Sequence, residues 1–71
     1  MSAHVHRFEV NAYDASGFQV EGREFDGLDA ANRCASQLTV THEDYLASVL
    51  DRSTGHSFFY EDGIVVDHCR S

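Results

Sequence analysis

Seventy-one residues with 42% hydrophobic content make one small globular domain, spanning residues 1–71, and exclude a disordered tail. Twelve carboxylates against five Arg and no Lys give a net charge of −7, which repels phosphate backbones and argues against direct nucleic-acid binding. No stretch approaches the ~18 apolar residues of a membrane span, Met1–Arg7 holds no apolar signal core, and two cysteines are too few for a disulfide scaffold, so a cytoplasmic setting is expected.

Residues 4–13 alternate: His6, Phe8, Val10 and Ala12 share one face, and Val5, Arg7, Glu9, Asn11 and Tyr13 the other. Period 2 with one mostly apolar face predicts a half-buried strand. Asp14-Ala15-Ser16-Gly17 reads as a turn, with Asp able to bond its own backbone and Gly free to take positive φ. In the second strand Phe18, Val20 and Gly22 alternate with Gln19, Glu21 and Arg23. Phe25 breaks that alternation by one step, and Gly22 is a candidate bulge that corrects it.

Asp26 is the expected N-cap of a helix over 27–39, with Asp29 in capping-box spacing. Leu28, Ala31, Cys34, Ala35 and Leu38 form its apolar stripe. Small residues in mid-stripe let the helix sit close on a sheet, with Phe side chains opposite. Phe8, Val10, Val20, Leu28, Ala31, Ala35 and Leu38 are the expected core. The β-branched run Thr39-Val40-Thr41 ends the helix.

Tyr45–Asp51 reads as a third strand, with either Tyr45, Ala47 and Val49 or Leu46, Ser48 and Leu50 inward. Ser53-Thr54-Gly55 is a turn, and Ser57–Glu61 a fourth strand. Asp62-Gly63 is the strongest local signal, a two-residue hairpin turn requiring positive φ, and Ile64–His68 closes that hairpin. The order is β-β-α-β-β-β: an α+β domain, its sheet mostly antiparallel, with one helix packed on one face. A single helix leaves the other face solvated or bound to a partner.

Chemistry finds little foothold. His4, His6, His68 and Cys69 could meet around a metal only if the first and last strands were neighbours, and no Cys-x-x-Cys or His-x(3–5)-His spacing supports that, so no metal or other cofactor is expected. Cys34 lies in mid-helix, away from an N-terminus that would lower its pKa, and no glycine-rich turn marks an oxyanion hole or phosphate cradle. Glu43-Asp44 and Glu61-Asp62 occupy solvated turns. A catalytic site is therefore not expected. Phe58, Phe59 and Tyr60 are consecutive, so a strand must split them between its faces. Their hairpin, with Phe59, Tyr60, Glu61 and Asp62, is one candidate interface. The uncovered face of the first hairpin is the other, with Arg7, Glu9, Tyr13, Glu21 and Arg23.

Four segments carry a resemblance: Phe8-Glu9-Val10, the helix Asp29-Ala30-Ala31-Asn32-Arg33-Cys34-Ala35-Ser36, the hairpin Tyr60-Glu61-Asp62-Gly63, and Val66-Asp67-His68-Cys69. In this β-β-α-β-β-β order the chain resembles the small phage-encoded anti-CRISPR proteins, in particular inhibitors of type I surveillance complexes. That family shares no catalytic motif, so no functional residue carries over. The resemblance implies a non-catalytic, viral inhibitor. Paired with a net charge of −7, it suits docking on a basic nucleic-acid channel of a protein complex. The alternatives are a small-ligand- or metal-binding accessory domain, or a homodimerising interaction module. The expected partner is a protein complex with a basic surface, not nucleic acid or membrane, and the chain itself a monomer or homodimer.

Overall fold

The computed structural model describes residues 6–69, and side chains for 6–66. The elements are β1 (Phe8–Tyr13), β2 (Gln19–Phe25), α1 (Leu28–Thr41), β3 (Leu46–Asp51), β4 (His56–Glu61) and β5 (Ile64–Cys69). The strands form one antiparallel sheet in the order β2-β1-β3-β4-β5. β2 and β3 flank β1 and both run against it, so they are parallel to each other. Parallel strands need a crossover, and α1 supplies it, passing over β1 and packing on β1 and β3. The β-β-α-β-β-β order and the single covered face are as the sequence predicts.

The core lies between α1 and the middle of the sheet. Phe8, Val10 and Ala12 of β1, Ala47 and Val49 of β3, and Tyr60 of β4 meet Ala31 and Ala35 of the helix, all buried. Val10 pairs directly with Val49, and Ala12 with Ala47, so the two sheet alanines sit side by side on the buried face. The pairing also settles the inward face of β3: Ala47, Val49 and Asp51 face the helix, and Leu46, Ser48 and Leu50 face away. Phe58 and Tyr60 point helixward and Phe59 outward, the split that three consecutive aromatics require.

Three expectations are corrected. Val20, expected in the core, is 41% exposed, and Leu28 is 39% exposed. The register shifts between Ala12 and Tyr13, which pair with Glu21 and Gln19 and leave Val20 without a partner. This irregularity lies nearer the turn than Gly22, and it puts Phe25, Arg23 and Glu21 opposite Phe8, Val10 and Ala12. The helix stripe is correspondingly rotated: its fully buried line is Ala31, Ala35 and Thr39, with Cys34 and Leu38 on one flank.

The helix also starts and stops differently. Gly27, not Asp26, is the N-cap, and no side chain caps it; the Asp26 carboxylate instead meets His6 Nδ1 at 2.8 Å. Thr39 does not end the helix, which runs on to Thr41. Its hydroxyl reaches back to the Ala35 and Ser36 carbonyls, 3.0 Å each, so the residue keeps its polar group satisfied while buried.

Candidate functional site

Among the described residues no element covers the sheet face opposite α1. Its rows follow from the register, because cross-strand partners share a face. One half, over β1 and β2, is polar. Glu9 stands directly opposite Glu24, a like-charge pair that is unfavourable unless compensated. Arg52, from the β3–β4 turn, compensates it: its Nη2 donates to both carboxylates and its Nη1 to the His6 carbonyl at 2.9 Å. Asn11 Nδ2 donates to Glu9 Oε1, and Gln19 Nε2 to Asn11 Oδ1, each at 2.8 Å. The Asn11 bond, with Arg52, holds the Glu9 carboxyl below its usual range. This half of the face is bonded to itself.

The other half is apolar. Tyr13 pairs with Leu46 and Ser48 with Phe59, and these four line an open groove with Asp14, Ala15, Gly17 and Asp44. Leu46 is 50% and Phe59 40% exposed, which is large for residues of adjacent central strands. Leu50 lies farther along the same face, half-buried, and Ile64, opposite Glu61, is exposed at its margin. Asp14 and Asp44 in the groove lining, and Glu61 two residues along β4 from Phe59, make no ion pair among the described residues.

The sequence-predicted interface residues therefore separate. Phe59, Tyr13 and Glu61 come together on the open face. Asp62 is exposed in the β4–β5 turn with φ 53°. Tyr60 is a correction: it is buried on the helix side and its hydroxyl donates to Asn32 Oδ1. Glu21 and Arg23 are also corrections, since the register shift turns them to the helix side, where Arg23 Nε donates to Glu21 at 3.2 Å. Arg7 leaves the open face too. It makes a two-pronged ion pair with Asp51, at 3.0 and 2.9 Å, and lies over the Phe8 ring. Leu46, Ser48 and Asp44 escaped sequence reasoning because the face of β3 was open between two readings. Setting Ala47 and Val49 against Ala12 and Val10 would have found them.

The sheet order separates the first and last strands by β3 and β4, so the condition for a shared His/Cys site is not met; His4 and the side chains of His68 and Cys69 lie outside the described residues. Among the described residues no three His, Cys, Asp or Glu side chains are grouped to hold a metal ion. Burial pushes the Cys34 thiol up, away from the thiolate a nucleophile needs. No helix among the described residues is long and apolar enough to cross a membrane. No protein-family model, curated protein or solved structure matches this chain.

Proposed function

We propose that this chain is a non-catalytic protein-binding module that docks its open sheet face on a basic protein surface. The observation that carries the reading is the Tyr13–Leu46–Phe59 patch, exposed beside carboxylates that no arginine among the described residues neutralises. An apolar centre with a charged rim is the general anatomy of a protein interface. The β1–β2 half of that face holds its described charges in a hydrogen-bonded network, so the patch is the part with contacts left to offer. A net charge of −7 steers such a surface toward basic partners and away from a second acidic copy.

The resemblance to anti-CRISPR inhibitors makes a type I surveillance complex, with its lysine-lined nucleic-acid channels, the first partner to test. Binding would be measured by surface plasmon resonance for wild type, Phe59→Ala, Leu46→Asp and Glu61→Lys at low and high salt. The two patch variants are expected to speed dissociation about tenfold or more, as loss of an interface anchor does. Glu61→Lys is expected to slow association, and most at low salt. A complex that fails to bind wild type removes that partner. A complex that binds wild type and all three variants alike removes the open face.

A further inference from the structure

On the opposite side of the sheet, α1 sits over β1 and β3 and meets β2 only at its margin. The gap is a groove of about 490 Å³, inside the ~300–1,000 Å³ range of small-ligand pockets. Its apolar surface comes from Phe25 on β2 and from Ala30, Cys34 and Leu38 on the helix; Arg23, Arg33 and Gln37 supply its polar groups. The groove exists because Ala30 and Cys34 are too small to fill the space above the edge strand. The register shift that turns Arg23 helixward places a guanidinium beside it.

The distribution of arginine gives the groove its chemistry. Among the described residues Arg7 and Arg52 are each bound to carboxylates by short hydrogen bonds. Arg33 makes no hydrogen bond or ion pair among the described residues, and Arg23 has only the longer contact with Glu21. In a chain of net charge −7, the two described arginines least engaged with carboxylates flank the same apolar groove. With Glu21 they sum to one positive charge. We infer that this groove binds a small monocarboxylate with an apolar body, its carboxylate between Arg23 and Arg33 and its body over Phe25, Ala30, Cys34 and Leu38. Guanidinium groups suit a carboxylate geometrically, and apolar area removed from water adds affinity.

The test is an NMR titration of the full chain with octanoate, 2-naphthoate, octan-1-ol and octylammonium. The two acids separate an alkyl from an aromatic body, and the alcohol and amine separate charge from apolarity. One or both acids are expected to shift the backbone amides of Phe25, Ala30, Cys34 and Leu38, and to leave Leu46 and Phe59 still. Arg23→Gln and Arg33→Gln should each weaken the acid about fivefold or more without changing octan-1-ol binding. In a Cys69→Ser background, the bound acid should slow alkylation of Cys34 by iodoacetamide. Octylammonium binding as well as the acids, shifts confined to the open face, unprotected Cys34, or no binding at millimolar concentrations would each overturn the inference.

Discussion

The turn at Gly17 and the turn at Gly63 each join two antiparallel strands, and each puts a glycine at positive φ, 88° and 82°. Their surroundings differ. At Gly17 a Cβ would meet nothing; the turn stands in solvent, and Asp14 bonds the Ser16 and Phe18 amides within it. At Gly63 a Cβ would fall inside van der Waals contact of Val40 Cγ2, with Ser36 Oγ 3.3 Å away. There the backbone itself is docked on the helix: the Gly63 amide donates to Thr39 Oγ1 at 2.9 Å, and Ser36 Oγ donates to the Gly63 carbonyl at 2.8 Å. One glycine serves local conformation alone. The other also lets a hairpin close against a helix, a second tie for strands that the β3–β4 pairing already joins to the domain.

The largest effect that separates the two turns is at Gly63. Gly63→Ala adds a strained φ, about 1 kcal/mol, to overpacking of about 1–3 kcal/mol. Urea unfolding should show a loss of about 2–4 kcal/mol. Val40 is exposed, but as a β-branched residue in a helix it has little rotamer freedom to yield. Val40→Ala in the same chain should therefore return the overpacking part and leave the strain. A double variant no more stable than Gly63→Ala would show that Val40 is not what Gly63 avoids.

Thr39→Val comes next. It keeps the shape of the side chain and leaves the Gly63 amide without its acceptor, at a cost of about 1–3 kcal/mol for an unsatisfied group. Hydrogen exchange locates the loss. The Gly63 amide should exchange faster relative to the Val49 amide in Thr39→Val, and recover in Thr39→Ser, which restores the hydroxyl. Unchanged Gly63 protection would detach the turn from the helix.

Both turns were legible as turns, because Asp-Gly and Asp-x-x-Gly act on their own backbone. The docking of one was not. It depends on Ser36, Thr39 and Val40, which lie off the apolar stripe and read as helix surface or helix end. The same limit explains Val20 and Leu28. Alternation names the faces of a strand only up to a register shift, and a shift at Tyr13 inverts the rest of β2. Thus Phe8, Val10, Ala31 and Ala35 were found, whereas Arg23 and Glu21 were put on the wrong side. On the open face Phe59 was found because three aromatics in a row force one outward. Leu46 was not, since nothing local distinguishes the two faces of β3.

The β3–β4 turn lies between the two cases. Asp51 accepts from the Ser53 amide and hydroxyl, at 3.0 and 2.8 Å, and from Arg7 across the sheet. The Arg7 hydrogen bonds, with smaller help from Ser53, hold its carboxyl well below the usual carboxylate range. A folded-state pKa below the unfolded value gives stability that is complete above about pH 4–5 and lost as pH falls below it. Glu9 adds in the same direction. Acid unfolding of wild type should therefore steepen below about pH 4, and Asp51→Asn should be less stable at neutral pH with a flatter acid limb. An unchanged acid limb would mean that Asp51 titrates alike folded and unfolded.

The smallest effect belongs to the free turn, and it tests the comparison most directly. Gly17→Ala meets no atom within 4 Å, so its cost reduces to the positive φ, about 1 kcal/mol. Asp14→Ala removes two bonds from a solvated turn whose amides can turn to water, and should cost about 0.5–1 kcal/mol. Neither change touches the helix, so protection of the Gly63 and Val49 amides should fall only by the global amount. Additivity follows as well. Gly17→Ala and Gly63→Ala lie in different hairpins with no shared partner, and their losses should sum to within about 0.5 kcal/mol. A Gly17→Ala loss as large as that of Gly63→Ala would erase the distinction, because the first turn would then be held by something beyond its own backbone.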